Sequence, residues 1–229
     1  MRRVAVILFL VSLAWACVFW SGILSPQYNP WAPLDLTAPP NILTRYKLYR
    51  LKHNPELCLQ TLRQTDIQFR PLDDKLGGEC PLVNIVEVSA AGVRFNHSFM
   101  AFCPLAAAWE IFRHNTLQQT ADKYFHQLVT RVEHLGTYAC RNIYNRAEGR
   151  ISEHARANAI DVTTFVLADG TQINVRRDWN SNSQPQKAAF LREIHEGACQ
   201  AFNVVFGPDH NGAHANHFHF DMGGFWTCR

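Results

Sequence analysis

The sequence predicts an α+β fold, in which a small antiparallel sheet is flanked by helices and is preceded by one transmembrane helix. The chain starts with a long uncharged run, and segments of period-two alternation are mixed with segments of helical period after it. No internal repeat or low-complexity tract interrupts these segments. A single domain of ordinary length after the apolar start is therefore the expected organisation.

The N-terminal residues 1–24 are predicted to anchor the chain in a membrane. Arg2 and Arg3 precede Val4–Leu24, which contains no charged side chain and would span about 30 Å as a helix. The arginine pair favours a cytoplasmic N-terminus and places the chain after Ser25 outside. A cleaved signal peptide is the alternative interpretation. Cys17 lies within the apolar run and is interpreted as a membrane residue.

Residues 25–40 are predicted to be an extended spacer, because they contain five prolines and little apolar periodicity. Residues 41–229 then form the folded domain. The chain carries 22 basic and 19 acidic residues and no basic stripe, so a nucleic-acid partner is not expected.

Three segments of the domain have the apolar spacing of helices. Asn41–Leu62 is helical in part, with a break at Pro55. Pro104–His114 begins with a proline suited to a first helical turn. Gln186–Phe202 has one continuous apolar face.

Alternating segments between turn residues predict the strands. The sequence Asp169-Gly170 is typical of a hairpin turn, and a tight turn at Ser89–Ala91 joins an earlier pair. The predicted strands are Leu82–Val88, Gly92–Phe95, Val129–Leu135, Asp161–Leu167, Gln172–Val175 and His217–Met222.

Cysteine usage indicates an oxidising compartment. Besides Cys17 the chain has an even set of six cysteines, which predicts three disulfides in an exported protein. Six cysteines allow 15 pairings, and we expect the sequential one because it needs no crossing of elements. A cysteine-ligated zinc site is disfavoured, since no Cys-x2-Cys pair occurs. The expected pairs are Cys58 with Cys80, Cys103 with Cys140, and Cys199 with Cys228.

Two distant segments carry metal-binding residue types. His154 and Asp161 lie seven residues apart, and His217 and His219 would lie on one face of the last strand, opposite Phe218 and Phe220. Two imidazoles and one carboxylate are a ligand set of catalytic Zn²⁺, which lowers the pKa of a bound water to about 7. The pattern therefore predicts a zinc site with hydrolytic chemistry.

The wider sequence around these residues resembles a known family. The runs Tyr138–Arg141, Ser152–Ala155, Asn158–Asp161 and Phe206–Asp209 are similar to the bacterial extensin-like C-terminal domain family, over about Pro55–Arg229. Ser-x-His-x6-Asp followed by His-x-His resembles the zinc D-alanyl-D-alanine carboxypeptidases and murein endopeptidases, which share their fold with the zinc domain of Hedgehog proteins.

The resemblance implies roles for individual residues. His154, Asp161 and His219 correspond to the zinc ligands, and His217 would hydrogen-bond the substrate carbonyl or its oxyanion. The chain has no acidic residue between positions 210 and 218, where the carboxypeptidases carry a glutamate base. Its His-x2-His-x-His spacing instead resembles the endopeptidases, which makes His214 the candidate general base.

Other polar residues have a functional and a structural interpretation. Arg141 is the preferred residue for binding a substrate carboxylate, and Arg146 and Arg156 are alternatives. In the structural interpretation, these arginines are simply exposed to solvent. Ser152 is expected to orient the metal loop, because a nucleophile elbow is missing. Trp179 and Trp226 could line a groove or serve core packing, and Asp209 and His210 could support the site or belong to a loop. Six other histidines are interpreted as structural or exposed: His53, His97, His114, His126, His134 and His195.

The expected function is therefore a zinc-dependent peptidase that cuts amide bonds in peptidoglycan stems or cross-links. We expect it in the periplasm, held at the inner membrane by its N-terminal helix. The alternative is a catalytically inactive zinc-fold module that binds cell-wall material, since fold resemblance does not settle activity.

Overall fold

A computed structural model describes residues 2–20 and 25–229 of the chain. Within these residues nine strands form one sheet, in the order β1-β2-β3-β4-β5-β8-β7-β9, with β6 paired to β5. The strands are β1 Ile67–Pro71, β2 Ile85–Ala91, β3 Arg94–Phe102, β4 Val129–His134, β5 Ala159–Leu167, β6 Gln172–Asn174, β7 Val204–Phe206, β8 Phe218–Asp221 and β9 Thr227–Cys228. The helices are α1 Arg2–Trp20, α2 Ile42–His53, α3 Pro55–Leu62, α4 Cys103–Phe112, α5 Gln118–Phe125, α6 Val175–Asp178 and α7 Pro185–Ala201.

The α+β class is confirmed, but the sheet is larger than expected and is mixed rather than antiparallel. β3 pairs with β4 in parallel, and so does β7 with β9. Helices α4 and α5 lie between β3 and β4 in the chain. This long crossover returns the chain to the same end of the sheet, as a parallel pair requires.

The start of the chain differs from the predicted anchor. Helix α1 covers Arg2–Trp20, but no helix among the described residues has the length and hydropathy of a membrane span. The transmembrane helix expected over residues 4–24 is thus not found, and its last four residues, 21–24, lie outside the described part of the chain.

The proline-rich residues 25–40 pack against the domain instead of forming an extended spacer. Leu34 and Leu36 are buried in the main core, with exposed fractions of 6% and 2%. Lys47 of α2 donates to the carbonyl of Pro26 at 2.8 Å, and Arg50 donates to that of Pro30 at 2.8 Å. The prediction overlooked these two leucines, which anchor a segment whose regular structure among the described residues is one 3-10 turn, Pro26–Tyr28.

Helices α2 and α3 confirm the expected break at Pro55. Asn41 and Thr44 form a capping box at the start of α2. The Asn41 side chain accepts from the N–H of Leu43, and the Thr44 hydroxyl accepts from the N–H of Asn41. Asn54 ends α2 and caps α3, and Pro55 occupies the first turn, where its missing N–H has no cost.

The helix predicted to begin at Pro104 is longer than expected. α4 passes through a π-helical segment, Arg113–Leu117, into α5, which ends at His126 in a left-handed conformation. The sequence between residues 113 and 125 contains neither glycine nor proline, so nothing stops the helix at the predicted end, His114.

The turn between β2 and β3 lies later than the predicted Ser89–Ala91. Gly92 has a φ of 58°, and a Cβ there would meet the guanidinium of Arg113 at 2.1 Å. Glycine is therefore needed for both conformation and space. The β5–β6 hairpin around Gly170 and the helix α7 are confirmed within one or two residues of each predicted end. Four short elements were not predicted: β1, α6, β7 and β9.

All six predicted cysteines form disulfides, but only one of the three expected pairs is present. Cys199 pairs with Cys228 as expected. Cys58 of α3 pairs instead with Cys103 at the start of α4, because these helices pack together, with 6.2 Å between the two Cα atoms. Cys80 then pairs with Cys140. Sequence adjacency was a poor guide, since the helical layer brings distant residues together.

Candidate functional site

Three elements bring the predicted ligand residues together. Asp161 of β5 and His219 of β8 are directly opposed in antiparallel register. Phe218 and Phe220 are fully buried on the other face of β8, so packing of these rings directs the side chain of His219 away from the helices. His154 comes from a 3-10 turn at Glu153–Arg156 that immediately precedes β5.

The donor atoms of these residues converge. His154 Nε2 lies 3.3 Å from His219 Nδ1 and 3.3 Å from Asp161 Oδ2, and His219 Nδ1 lies 2.9 Å from Asp161 Oδ1. All three residues can offer a ligand atom within one small cluster. In a tetrahedral zinc site with bonds of about 2.0–2.1 Å, ligand atoms lie about 3.3–3.4 Å apart. The two distances from His154 Nε2 match this spacing, whereas the 2.9 Å between His219 Nδ1 and Asp161 Oδ1 is the shorter distance of a hydrogen bond.

In both His154 and His219, the ring nitrogen that points away from the cluster also has a hydrogen-bond partner. His154 Nδ1 lies 3.2 Å from the carbonyl oxygen of Thr137, and His219 Nε2 lies 2.9 Å from Asp221 Oδ2. A carbonyl or carboxylate partner on the outer nitrogen is the usual arrangement around metal-binding histidines, because it fixes ring orientation and tautomer. The set of donors and their supports thus fits Zn²⁺.

The sequence prediction missed Asp221, Thr137 and Gly223. Asp221 could have been found, since it continues the period of two from His219 on the same face of β8. A Cβ at Gly223 would lie 3.0 Å from side-chain atoms of both Asp221 and Glu153, so a side chain there would push on the carboxylate that faces His219. Thr137 contributes a backbone carbonyl, for which the sequence contains no signal.

The electrostatics show an excess of negative charge that favours a cation. Burial lowers the pKa of His219, but its hydrogen bonds with Asp161 and Asp221 outweigh burial and raise the pKa to about 9. Burial raises the pKa of Asp161, yet hydrogen bonds with His154 and His219 hold that pKa well below its usual range. A proton on His219 therefore supplies positive charge where a metal ion would supply it.

His217 and His214 line the same cluster. His217 Nε2 lies 3.5 Å from Asp161 Oδ1, and its Nδ1 lies 2.8 Å from Asn216 Oδ1. The ring of His214 is centred 5.3 Å from that of His217 and 5.6 Å from that of His219. Burial, followed by the charges of His219 and His217, lowers the pKa of His214 to about 4. His214 is thus neutral at neutral pH and is close enough to act on a group at the cluster.

Comparison with known proteins identifies the family. Residues 56–229 match the family described as Extensin-like protein C-terminus. The chain belongs to this family. The match includes all the site residues described above and all six bonded cysteines, whereas α2 and the N-terminal residues lie outside it. Neither a curated protein nor a solved structure gives a match to the chain.

Within this extensin-like domain, Ser152 has a local structural contact. Its hydroxyl accepts a hydrogen bond from the N–H of His154 at 3.3 Å and caps the 3-10 turn. Its own N–H donates to the carbonyl of Arg141 at 3.1 Å. Ser152 therefore ties the turn that carries His154 to Arg141, and its predicted role in orienting a metal-binding loop stays a prediction.

The candidate substrate-binding residues lie at the surface of the extensin-like domain. Arg141, Arg146 and Arg156 are all exposed, so each is accessible to a carboxylate. Trp226 is 62% exposed, whereas Trp179 is buried and donates from Nε1 to Asp209 at 2.9 Å. Trp179 thus serves packing. Trp226 remains a candidate for lining a substrate groove.

Two further groups of metal-ligand residue types do not make comparable sites. Asp66, Glu110 and His114 surround the guanidinium of Arg113, which contacts all three and supplies the positive charge there. His195 lies beside Cys199 and Cys228, but both cysteines are consumed by their disulfide. Among the described residues, the His154–Asp161–His219 cluster is the best-formed candidate.

Proposed function

We propose that this extensin-like domain is a zinc-dependent peptidase that hydrolyses amide bonds in the peptide stems or cross-links of peptidoglycan. The observation that supports it most is the convergence of His154 Nε2, His219 Nδ1 and the Asp161 carboxylate, with Asp221 and Thr137 behind the two imidazoles. The resemblance to zinc carboxypeptidases and endopeptidases supplies the substrate class.

Each residue has a distinct role in this proposal. His154, Asp161 and His219 hold the zinc ion, which when bound polarises a carbonyl group and makes water acidic enough to react near neutral pH. His214 accepts the proton of the attacking water, since it is neutral and lies beside the cluster. His217 donates a hydrogen bond to the oxygen that gains negative charge as the amide is attacked.

Arg141 binds a carboxylate of the substrate in the same proposal. Its backbone carbonyl is tied to Ser152, which caps the turn of His154, so the exposed guanidinium and the cluster are carried by neighbouring parts of one loop. A planar guanidinium can contact both carboxylate oxygens at once, which fixes orientation as well as position.

We also propose that the domain works outside the cytoplasm, in the bacterial periplasm. Three disulfides among the described residues support this location, because such bonds persist in oxidising compartments. A reporter fused after Arg229 should be active only outside the cytoplasm. Activity confined to the cytoplasm, or six free thiols in the natural protein, would contradict the location.

The second candidate function is a catalytically inactive module that binds cell-wall material. One observation favours it: a base with a pKa of about 4, as burial and neighbouring charges give His214, accepts a proton weakly. This module would retain the metal cluster but would not cleave.

Incubation of the purified chain with muropeptides, with and without zinc, separates the two functions by mass spectrometry. A peptidase cleaves only with zinc. His214→Ala should then retain about one zinc per chain while cleavage falls about 10²–10⁴-fold, because the ligands are intact and the base is lost. His53→Ala, an exposed histidine at the end of α2, is the matched control. Zinc loading without cleavage of any muropeptide by the wild type would favour the binding module.

A further inference from the structure

A closed loop, Asn142–Ile151, has an unusual backbone just after its first residues. The N–H of Ile143 donates to the carbonyl of Arg150 at 2.9 Å, which ties the two ends of the loop together. Tyr144 and Asn145 are consecutive residues with φ of 56° and 54°. A left-handed conformation is rare for an aromatic residue and persists where surrounding contacts hold it, and one of these contacts is made by the hydroxyl of Tyr144.

That contact joins the loop to His214. Asn211 Nδ2 lies 3.1 Å from the hydroxyl of Tyr144, and Asn211 Oδ1 lies 2.9 Å from His214 Nδ1. The loop Asn142–Ile151 and the histidine-bearing loop are therefore linked through a single carboxamide. At the other end of the loop Asn142–Ile151, the guanidinium of Arg150 lies 4.4 Å from the ring centre of Phe225, which follows β8 in the chain.

The orientation of this carboxamide is fixed by a third bond. The N–H of Ala213 donates to Asn211 Oδ1 at 2.9 Å, so the atom at that position must be the oxygen. The same oxygen can only accept from the ring of His214, which requires the proton to be on Nδ1. In neutral His214 the lone pair is then on Nε2.

We propose that Tyr144 and Asn211 are positioning residues that hold His214 in the Nδ1–H tautomer and leave Nε2 as its proton acceptor. The use of that acceptor in amide hydrolysis rests on the proposed function. The tautomer itself rests only on the bonds of Asn211. Tyr144 acts through Asn211, because its hydroxyl accepts from Nδ2 and holds the carboxamide in place beside His214, while the N–H of Ala213 sets which end faces the ring.

The tautomer can be measured without activity. In ¹⁵N-labelled, zinc-loaded protein at pH 7, long-range ¹H–¹⁵N spectra distinguish a protonated from an unprotonated ring nitrogen, and His214→Gln identifies the signals of His214. We expect Nδ1–H in the wild type and a mixture of tautomers in Asn211→Ala. Asn211→Asp should restore Nδ1–H, because a carboxylate oxygen still accepts from the ring. Tyr138→Phe, which makes the same chemical change at another exposed tyrosine, is the control for Tyr144→Phe.

Kinetics provide the second measurement. Tyr144→Phe loses one neutral hydrogen bond, so kcat should fall about 2–12-fold with KM and zinc content unchanged. Asn211→Ala should reduce kcat more, and Asn211→Asp should recover most of the loss. Tyr138→Phe should match the wild type. A change in KM alone for Tyr144→Phe would overturn the positioning role.

The outcomes separate this inference from the function on which it rests. Nε2–H in wild-type His214, or Nδ1–H persisting in Asn211→Ala, overturns the inference whatever the activity. The expected tautomers in a wild type that cleaves no muropeptide would support the hydrogen-bond chain and refute the peptidase.

Discussion

Replacing Asp221 by asparagine tests the proposed metal centre through a residue that is not one of the proposed ligands. In the structure one carboxylate oxygen faces His219 Nε2 at 2.9 Å and the other accepts from the N–H of Gly223 at 2.7 Å. Both neighbours act as donors when His219 binds zinc through Nδ1. An asparagine presents one oxygen and one NH₂ group, so in either orientation one donor faces another donor.

Either arrangement should weaken zinc binding. If the NH₂ group faces His219, the stable tautomer places the ring proton on Nδ1, which is then lost as a ligand. If it faces Gly223, a buried N–H loses its acceptor. Loss of a hydrogen bond to a charged group costs about 1.5–3 kcal/mol, which corresponds to about 10–150-fold in affinity. Losses of about 10–100-fold for outer partners of metal ligands agree with this range.

The assay is a competition titration of zinc against a chromophoric chelator at fixed pH, with circular dichroism to verify folding. Asp122→Asn is the matched control, because it makes the same chemical change at an exposed position of α5. We expect the control to bind zinc as the wild type does. An affinity of Asp221→Asn within twofold of the wild type would refute the argument that His219 binds through Nδ1 with Asp221 behind it.

Three further predictions follow from the charges and the packing. Burial lowers the pKa of His219, but its two carboxylate partners raise it more, to about 9, so zinc must displace a proton from this ring. The affinity of the protein for zinc should therefore rise with pH up to about 9, by at most about tenfold per pH unit. Zinc titrations at pH 6.5, 7.5 and 8.5 measure this rise. A pH-independent affinity would show that no proton is displaced. Replacing both Cys58 and Cys103 by serine should lower the free energy of unfolding by about 4 kcal/mol, the loop-closure value for their separation of 45 residues, measured by urea denaturation. Peptide mapping that found Cys58 bonded to Cys80 would contradict the structure. Leu36→Ala should cost about 2–5 kcal/mol in the same assay, whereas a solvated spacer would give almost none.

The sequence predicted elements best where the local signal was complete. Pro55 after Asn54, and Asp169-Gly170 between alternating segments, each specify a backbone conformation without reference to distant residues. Strands β7 and β9 are three and two residues long and are defined by pairing with other strands, β7 with β8 and β9, so no local pattern could identify them. The end of α5 was missed because its left-handed stop is His126, where a glycine would have been recognised.

The candidate site was more predictable than the disulfides for a physical reason. His154 and Asp161 lie on either side of one turn, and His219 shares a face with Asp221, so spacing alone carries much of their geometry. Pairing of Cys58 with Cys103 depends on how α3 packs against α4, which is a property of the assembled helical layer. Spacing holds no information of that kind.

The cluster of His154, Asp161 and His219 is positioned by the hydrophobic core beneath it. Phe218 and Phe220 alternate with His219 and Asp221 along β8, and both rings are fully buried. A slip of one residue against β5 would turn the rings outward and place the polar pair against the helices. Exposing two phenylalanines costs about 3–6 kcal/mol, a large part of the stability of a small domain, before the burial of a carboxylate is counted. The register that opposes Asp161 and His219 is therefore selected by apolar packing, and the ligand geometry follows from it.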